Sequence, residues 1–347
     1  MLSNVTISVL VVTRNEESYI AELLEKLINQ TLNRNQYEII IVDGQSEDKT
    51  LEVIEPILKK NKDFIRVISN PQKTLPPGWN LGIKASRGNY ILRVDGHTLV
   101  PDDFLENYIH LINRKPEVDC VGGIIVSKGE GFQGEINQYV YSHRFGVGNS
   151  KFRTTKDVWE GFVDTVPYGA YKKEVFETVG YFNEHLKRNE DIEFHKRMKD
   201  KGGQFYLSTS IQSTYYVRPS LSGLIKKSLG DGVWNIMANR VSPGSLRRRH
   251  KAPLYAFSFG VLVTIAAILH PVARWCFMSM IFLYLLAAAL STIELAKKNG
   301  IKYFVPGIFT FFCLHFFRGF GSFSAHFKKE YWLINQKSQQ ESDKRFN

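Results

Sequence analysis

The feature of this sequence that most constrains its fold is a change of hydrophobic texture near Pro253. Before that point apolar residues come in short β-branched runs and in stretches of helical spacing; after it they come in runs long enough to cross a bilayer. The chain therefore has to build a layered water-exposed domain and an apolar appendage. Its 347 residues leave room for both.

In the first part, Val5 to Val12 reads as a strand, Glu17 to Asn29 as a helix with Ile20, Leu23, Leu24, Leu27 and Ile28 on one face, and Glu38 to Val42 as a second strand. Lys49 to Asn61 and Trp79 to Ser86 follow as helices, and Ile65 to Ser69 and Tyr90 to Val94 as strands. Strand and helix in alternation predict an α/β fold, a mostly parallel sheet wrapped by helices, with ligands at the carboxyl ends of the strands. From 111 to 218 the order is less regular. Strands are expected at Val118–Val126 and Gln204–Leu207, and helices from Glu174 and at Glu190–Lys201. The N-terminal apolar stretch has no basic leader and no cleavage site, so it reads as a buried strand rather than a signal peptide.

In the second part, spans are expected at 253–270 and 272–296. A third apolar segment, 303–327, is read as re-entrant or partly buried, because it carries Arg318 inside and basic residues at both ends. Leu221 to Arg240 is amphipathic and reads as either an interfacial helix or a domain-surface helix. The domain expectation is thus 1–219 catalytic, 220–252 interfacial, 253–330 membrane and 331–347 a polar tail. The net charge of +11 is concentrated in Arg247, Arg248, Arg249, Lys251, Lys297, Lys298, Lys302, Lys328 and Lys329, which flank the apolar runs. That is a topology signal placing the N-terminal domain in the cytoplasm, at the inner membrane of the cell, and it argues against nucleic acid as a partner. Three dispersed cysteines give neither a disulfide framework nor a zinc site.

Chemistry-bearing residues gather at the expected strand ends. Thr13, Arg14, Asn15 and Glu16 follow the first strand, and Asp43, Ser46 and Asp48 the second; they suit a nucleoside, and Asp43 and Asp48 serve equally well as helix caps. Asp95, Gly96 and His97 end the fourth strand. A carboxylate and an imidazole two residues apart can share one divalent cation, although an Asx-turn beside an exposed histidine explains the triplet too. Asn189, Glu190 and Asp191 open a helix, where a carboxylate is either a general base or a favourable first-turn charge.

The ordered set Val-Val-Thr-Arg-Asn-Glu-Glu, Ile-Ile-Ile-Val-Asp-Gly-Gln-Ser-Glu-Asp-Lys-Thr at 39–50, Pro-Gly-Trp-Asn-Leu-Gly-Ile at 77–83, Val-Asp-Gly-His at 94–97 and Asn-Glu-Asp at 189–191 resembles family 2 inverting glycosyltransferases of the GT-A fold. With its apolar C-terminal part, the chain is most similar to membrane-bound exopolysaccharide enzymes of the bacterial succinoglycan-synthesis type. The resemblance implies donor-nucleotide contacts at Thr13, Arg14, Glu16, Asp43, Asp48 and Asn80, a metal and diphosphate residue at Asp95, and a catalytic base at Asp191. His97 stands where many relatives carry a second Asp, which tilts the implied divalent cation toward Mn²⁺ over Mg²⁺. Glu190, Arg218, Lys226 and Lys227 are candidates for the acceptor or its diphosphate, interfacial attraction to anionic lipid being the other reading of the three cations. The implied partners are a nucleotide-sugar donor, UDP-sugar first, a lipid-linked saccharide acceptor and membrane lipid. A Gln-x-x-Arg-Trp signature of processive members is missing from 215–234, which favours transfer of one sugar over polymer synthesis. A catalytically silent membrane scaffold that keeps the nucleotide-binding fold is the alternative of another class.

Overall fold

A computed structural model of the chain describes residues 5–335, so part of the expected polar tail, 336–347, lies outside the described residues. The strands are β1 (Ile7–Thr13), β2 (Tyr37–Asp43), β3 (Ile65–Ser69), β4 (Tyr90–Asp95), β5 (Thr98–Leu99), β6 (Cys120–Lys128), β7 (Glu160–Val163), β8 (Ala170–Lys172) and β9 (Phe205–Tyr216). The helices are α1 (Ile20–Ile28), α2 (Thr50–Lys60), α3 (Leu75–Ala85), α4 (Phe104–Arg114), α5 (Gly131–Ser142), α6 (Arg144–Val147), α7 (Lys151–Thr154), α8 (Lys173–Thr178), α9 (Glu190–Asp200), α10 (Leu221–Val241), α11 (Arg248–Leu269), α12 (Pro271–Asn299) and α13 (Phe304–Ala325). The chain divides into two compact units, one of residues 1–126 and 155–216 and one of residues 127–154 and 217–347. Segment 127–154, expected in the catalytic domain, thus clusters with the C-terminal unit.

The first unit is built on one mixed sheet in the order β3-β2-β1-β4-β8-β6-β9-β5, with β7 paired to β9. β3, β2, β1 and β4 run parallel, and β8 turns the sheet antiparallel. Every residue of β1 and β2 is buried, the unbroken β-branched pattern of strands covered on both faces. α1 presents Ile20, Leu23, Leu24, Leu27 and Ile28 to the core; each such burial is worth about 1.5–3 kcal/mol as an upper estimate. α3 begins at Leu75, earlier than its apolar spacing suggests, because Pro76 and Pro77 suit a first turn that needs no amide donors.

The expected strand at 204–207 continues to Tyr216 with alternating burial after Thr209, and pairs with both β5 and β7. Parallel pairing leaves the carboxyl ends of β1, β2 and β4 level: Thr13 lies opposite Asp43, and Val12 opposite Asp95.

In the second unit, α11, α12 and the segment Ile301–Ala325 are each long and apolar enough to cross a membrane. Within the last, α13 runs without a break through Pro306, Gly307, Gly319 and Gly321 and buries part of its surface, including Thr310, Phe311 and Leu314. Its chief neighbour is α10, with backbones close enough that a Cβ on Gly232 would lie 2.2 Å from the Arg318 carbonyl oxygen. α10 therefore buries a face of small and mixed residues, Leu224, Ser228, Gly232 and Asn235, instead of a continuous apolar stripe.

Candidate active site

The loops after β1 and β2 are stitched into one wall by side chains bonding to backbone. Asp43 is buried and accepts from the Ser46 hydroxyl (2.6 Å) and amide (3.1 Å), a bond pattern that closes the turn. Asn15 Oδ1 accepts from the Glu47 amide at 2.8 Å, and the Asn15 amide donates to Ser46 Oγ at 3.0 Å. Asp48 accepts from the Thr50 amide and hydroxyl and from the Glu17 amide, and is held below the usual carboxylate range: desolvation is the largest single influence and works upward, but these hydrogen bonds together outweigh it. Asp48 thus ties the loop after β1 to the start of α2 from two residues before it. Arg14 and Lys73 both reach Glu47, at 3.2 Å each.

Across the β1–β4 edge, the Glu16 carboxylate meets His97 Nδ1 at 2.9 Å. Gly96 sits between them and β1, and a Cβ there would lie 3.0 Å from Thr13 Oγ1 and 3.2 Å from Glu16 Cγ; close packing explains the glycine. Thr13 Oγ1 is buried and has no hydrogen-bond partner among the described residues.

Arg93, two residues before Asp95 on β4, is the electrostatic centre of the other wall. Its guanidinium lies over the Trp79 and Phe182 rings, at 4.3 and 4.7 Å from their centroids, and donates to Glu190 Oε1 at 2.7 Å. Glu190 and Asp191 open α9, after Asn189 in the left-handed region at φ 59°. Burial pushes both carboxyls up, opposed by Arg93, and the Asp95 charge pushes Asp191 further up. The Arg93–Glu190 pair thus ties the start of α9 to β4 two residues before Asp95. Behind Arg93, the Tyr171 hydroxyl bonds to His195 Nε2 at 2.7 Å and His195 Nδ1 to Thr165 Oγ1 at 2.7 Å, a buried polar chain. Burial first, then the Arg93 and Lys199 charges, lower His195 to about 3, so it stays neutral.

Of the sequence-predicted residues, Thr13, Glu16, Asp43, Asp95 and His97 come together at the ends of β1, β2 and β4, with Arg14 and Asp48 in the adjoining loops; Glu190, with Asp191 next to it, is tied to β4 through Arg93. Asn80 differs. Its amide donates to the Phe182 carbonyl (2.9 Å) and Glu184 Oε1 (2.8 Å) and accepts from the Phe182 amide (3.0 Å), so it is spent on clamping the 182–184 loop to α3. Arg218, Lys226 and Lys227 belong to the second unit. Sequence reasoning passed over Arg93, Trp79, Tyr171 and His195; the available signal was a charge inside the buried run Tyr-Ile-Leu-Arg-Val-Asp.

Among the described residues no group of three or more His, Cys, Asp and Glu is placed to hold a metal alone. Asp95 with His97 still fits a cation shared with a diphosphate, because such ions take one or two protein ligands and fill the rest of their shell with phosphate oxygen and water. The Glu16 carboxylate on His97 Nδ1 is the outer partner that orients a ligating imidazole, and the unpartnered Thr13 hydroxyl is a ready donor or acceptor beside it.

Residues 8–180 match the family model described as Glycosyl transferase family 2. Over 328 residues the chain is 30% identical to the dolichyl N-acetyl-alpha-D-glucosaminyl phosphate 3-beta-D-2,3-diacetamido-2,3-dideoxy-beta-D-glucuronosyltransferase of Methanococcus voltae, covering 93% of this chain and 97% of that one. The chain belongs to glycosyl transferase family 2. This glycosyltransferase is also 25% identical to the succinoglycan biosynthesis protein ExoA of Rhizobium meliloti, over 72% of its own length and 76% of the relative's. Among solved structures, a mannosyltransferase from Pyrobaculum calidifontis in complex with GDP-Man and Mn²⁺ shares its fold with a TM-score of 0.59 at 17% identity, covering 93% of this chain and 88% of that one. The glycosyltransferase thus has the GT-A-type mixed sheet with helices, and its C-terminal part carries three helices able to span a membrane.

Proposed function

We propose that this enzyme is an inverting transferase that moves one sugar from a nucleotide-diphosphate sugar, UDP-sugar first, to a lipid-linked saccharide at the cytoplasmic face of a membrane, in exopolysaccharide or related glycan synthesis. The carrying observation is the 2.7 Å ion pair between Arg93, on β4 two residues before Asp95, and Glu190, the residue before Asp191 at the start of α9. It supports a diphosphate site and a base in one pocket. The acceptor class rests on the names of the Methanococcus and Rhizobium relatives and on the three apolar helices.

In this reading Asp43, Asp48, Thr13 and Arg14 hold the nucleoside, and Asp95 with His97 would hold a divalent cation, Mn²⁺ before Mg²⁺. The cation would offset the charge that builds on the departing diphosphate. Asp191 takes the proton of the acceptor hydroxyl as that oxygen attacks the anomeric carbon, and an α-linked donor gives a β-linked product. Glu190, fixed on Arg93, keeps the first turn of α9 in place, so that Asp191 meets the acceptor with little reorganisation.

Asp191→Asn tests the assignment. UDP binding should persist while turnover falls by about two to four orders of magnitude, the usual cost of losing a general base. Near-normal turnover would remove Asp191 from the chemistry. Hydrolysis of donor in the absence of acceptor distinguishes the enzyme from a silent scaffold, and product length on a defined acceptor distinguishes single addition from processive synthesis.

A further inference from the structure

The second unit contains a charge cluster that the transfer chemistry does not use. Asp231 on α10 takes Lys227 at 3.1 Å and Arg318 of α13 at 3.8 Å. Arg318 is pressed onto α10 through Gly232, the residue after Asp231. On its other side, a Cβ on Gly319 would lie 2.5 Å from the Pro253 carbonyl oxygen, so α13 also touches α11 one turn beyond His250. Arg249 Nε donates to His250 Nε2 at 3.2 Å, and His250 lies within electrostatic reach of Arg249, Arg318 and Arg247. Three helices thus bring Lys227 and Arg318 to Asp231, and Arg249 to His250.

Two donors in this cluster are buried without a partner among the described residues, Arg318 Nε and His250 Nδ1. Because His250 Nε2 accepts from Arg249, the ring proton of the neutral imidazole sits on Nδ1, and both orphans are N–H groups. Unpaired buried N–H groups on a guanidinium and on an imidazole beside a second arginine call for an acceptor, and an anion with several acceptor oxygens suits them best. Arg247 to Lys251 lead directly into the apolar run of α11, and Phe257 of that run packs against Phe316, Phe320 and Phe323 of α13. The anion's surroundings are therefore those of a lipid phosphate at the headgroup level.

We propose that Arg318 and His250, supported by Arg247, Arg249 and Lys227, form a binding site for the phosphate of a polyprenyl-phosphate lipid. The site deepens the acceptor reading above and rests on it for the identity of the lipid. It gives Lys227 and α10 a role beyond attraction to bilayer charge. Arg318, costly inside an apolar helix, is retained because it grips a ligand as well as Asp231.

The test uses the full chain in detergent micelles, with lipid retention counted by native mass spectrometry. The probes are undecaprenyl phosphate, phosphatidylglycerol and inorganic phosphate, and UDP affinity is measured alongside. Wild type should retain undecaprenyl phosphate. Arg318→Gln and His250→Phe should weaken it about tenfold or more, as loss of a charged or buried hydrogen bond does, and Arg318→Lys should fall between. Lys298→Gln should match wild type, and UDP affinity should be unchanged throughout, which shows the variants folded. Equal retention in wild type, Arg318→Gln and His250→Phe overturns the site. Phosphatidylglycerol bound as well as undecaprenyl phosphate, and lost with it, overturns it in favour of a bilayer headgroup contact; full competition by inorganic phosphate overturns it in favour of a free anion. Absence of donor hydrolysis in a wild type that still binds undecaprenyl phosphate would defeat the transferase reading and leave the site standing.

Discussion

Arg93 shows how one side chain organises the pocket: stacked between Trp79 and Phe182 and bonded to Glu190, it makes a buried acidic helix start tolerable. Arg93→Met leaves Glu190 buried without its cation and should cost about 3–5 kcal/mol. Adding Glu190→Gln should recover much of that, read as a melting temperature in detergent. Because burial raises the Asp191 carboxyl, its base form is lost on acidification earlier than an ordinary aspartate's. The acid limb of kcat against pH should therefore lie above the usual Asp range and fall about tenfold per pH unit below it; a limb at the ordinary value would contradict the burial. His195 works in the opposite sense. Between about 6.5 and about 3 the unfolded chain takes up a proton that folded His195 refuses, so stability falls as pH drops through that window. A His195→Gln variant should melt with a shallower pH slope. None of these environments was legible in the sequence, because burial and partners across 79, 93, 171, 182 and 190 depend on chain crossings that spacing does not encode.

At the scale of elements, the parallel half of the sheet was readable, since β1 and β2 carry buried runs rich in β-branched residues, β3 and β4 shorter ones around a single arginine, and α1 a one-sided apolar stripe. β5, β7 and β8 were missed: they are two to four residues long and owe their existence to longer neighbours, β9 for β5 and β7 and β4 with β6 for β8, not to local pattern. Asn80 illustrates the same gap at the site. Its place in a Trp-Asn-Leu-Gly motif suggested a nucleotide contact, and its three bonds make it a clamp instead. Asn80→Ala should accordingly lower stability by about 1–3 kcal/mol, with the donor KM near the wild-type value; a large rise in KM at unchanged stability would restore the nucleotide role.

For the whole molecule, two hydrophobic textures become two units, and both serve the same proposed reaction: one carries the carboxylates, the other the apolar helices. The protein should stay with membranes after a carbonate wash, as lipid-inserted helices require; release into the supernatant would count against the lipid-linked acceptor. The central claim is that the strand-end carboxylates bind the donor while the helix-start carboxylate does the chemistry. Titrating UDP with Mn²⁺ into the full chain and into Asp43→Asn, Asp95→Asn and Asp191→Asn tests it directly. The account predicts affinity lowered about tenfold or more in the first two variants and unchanged in the third; equal affinity in all four proteins would contradict it.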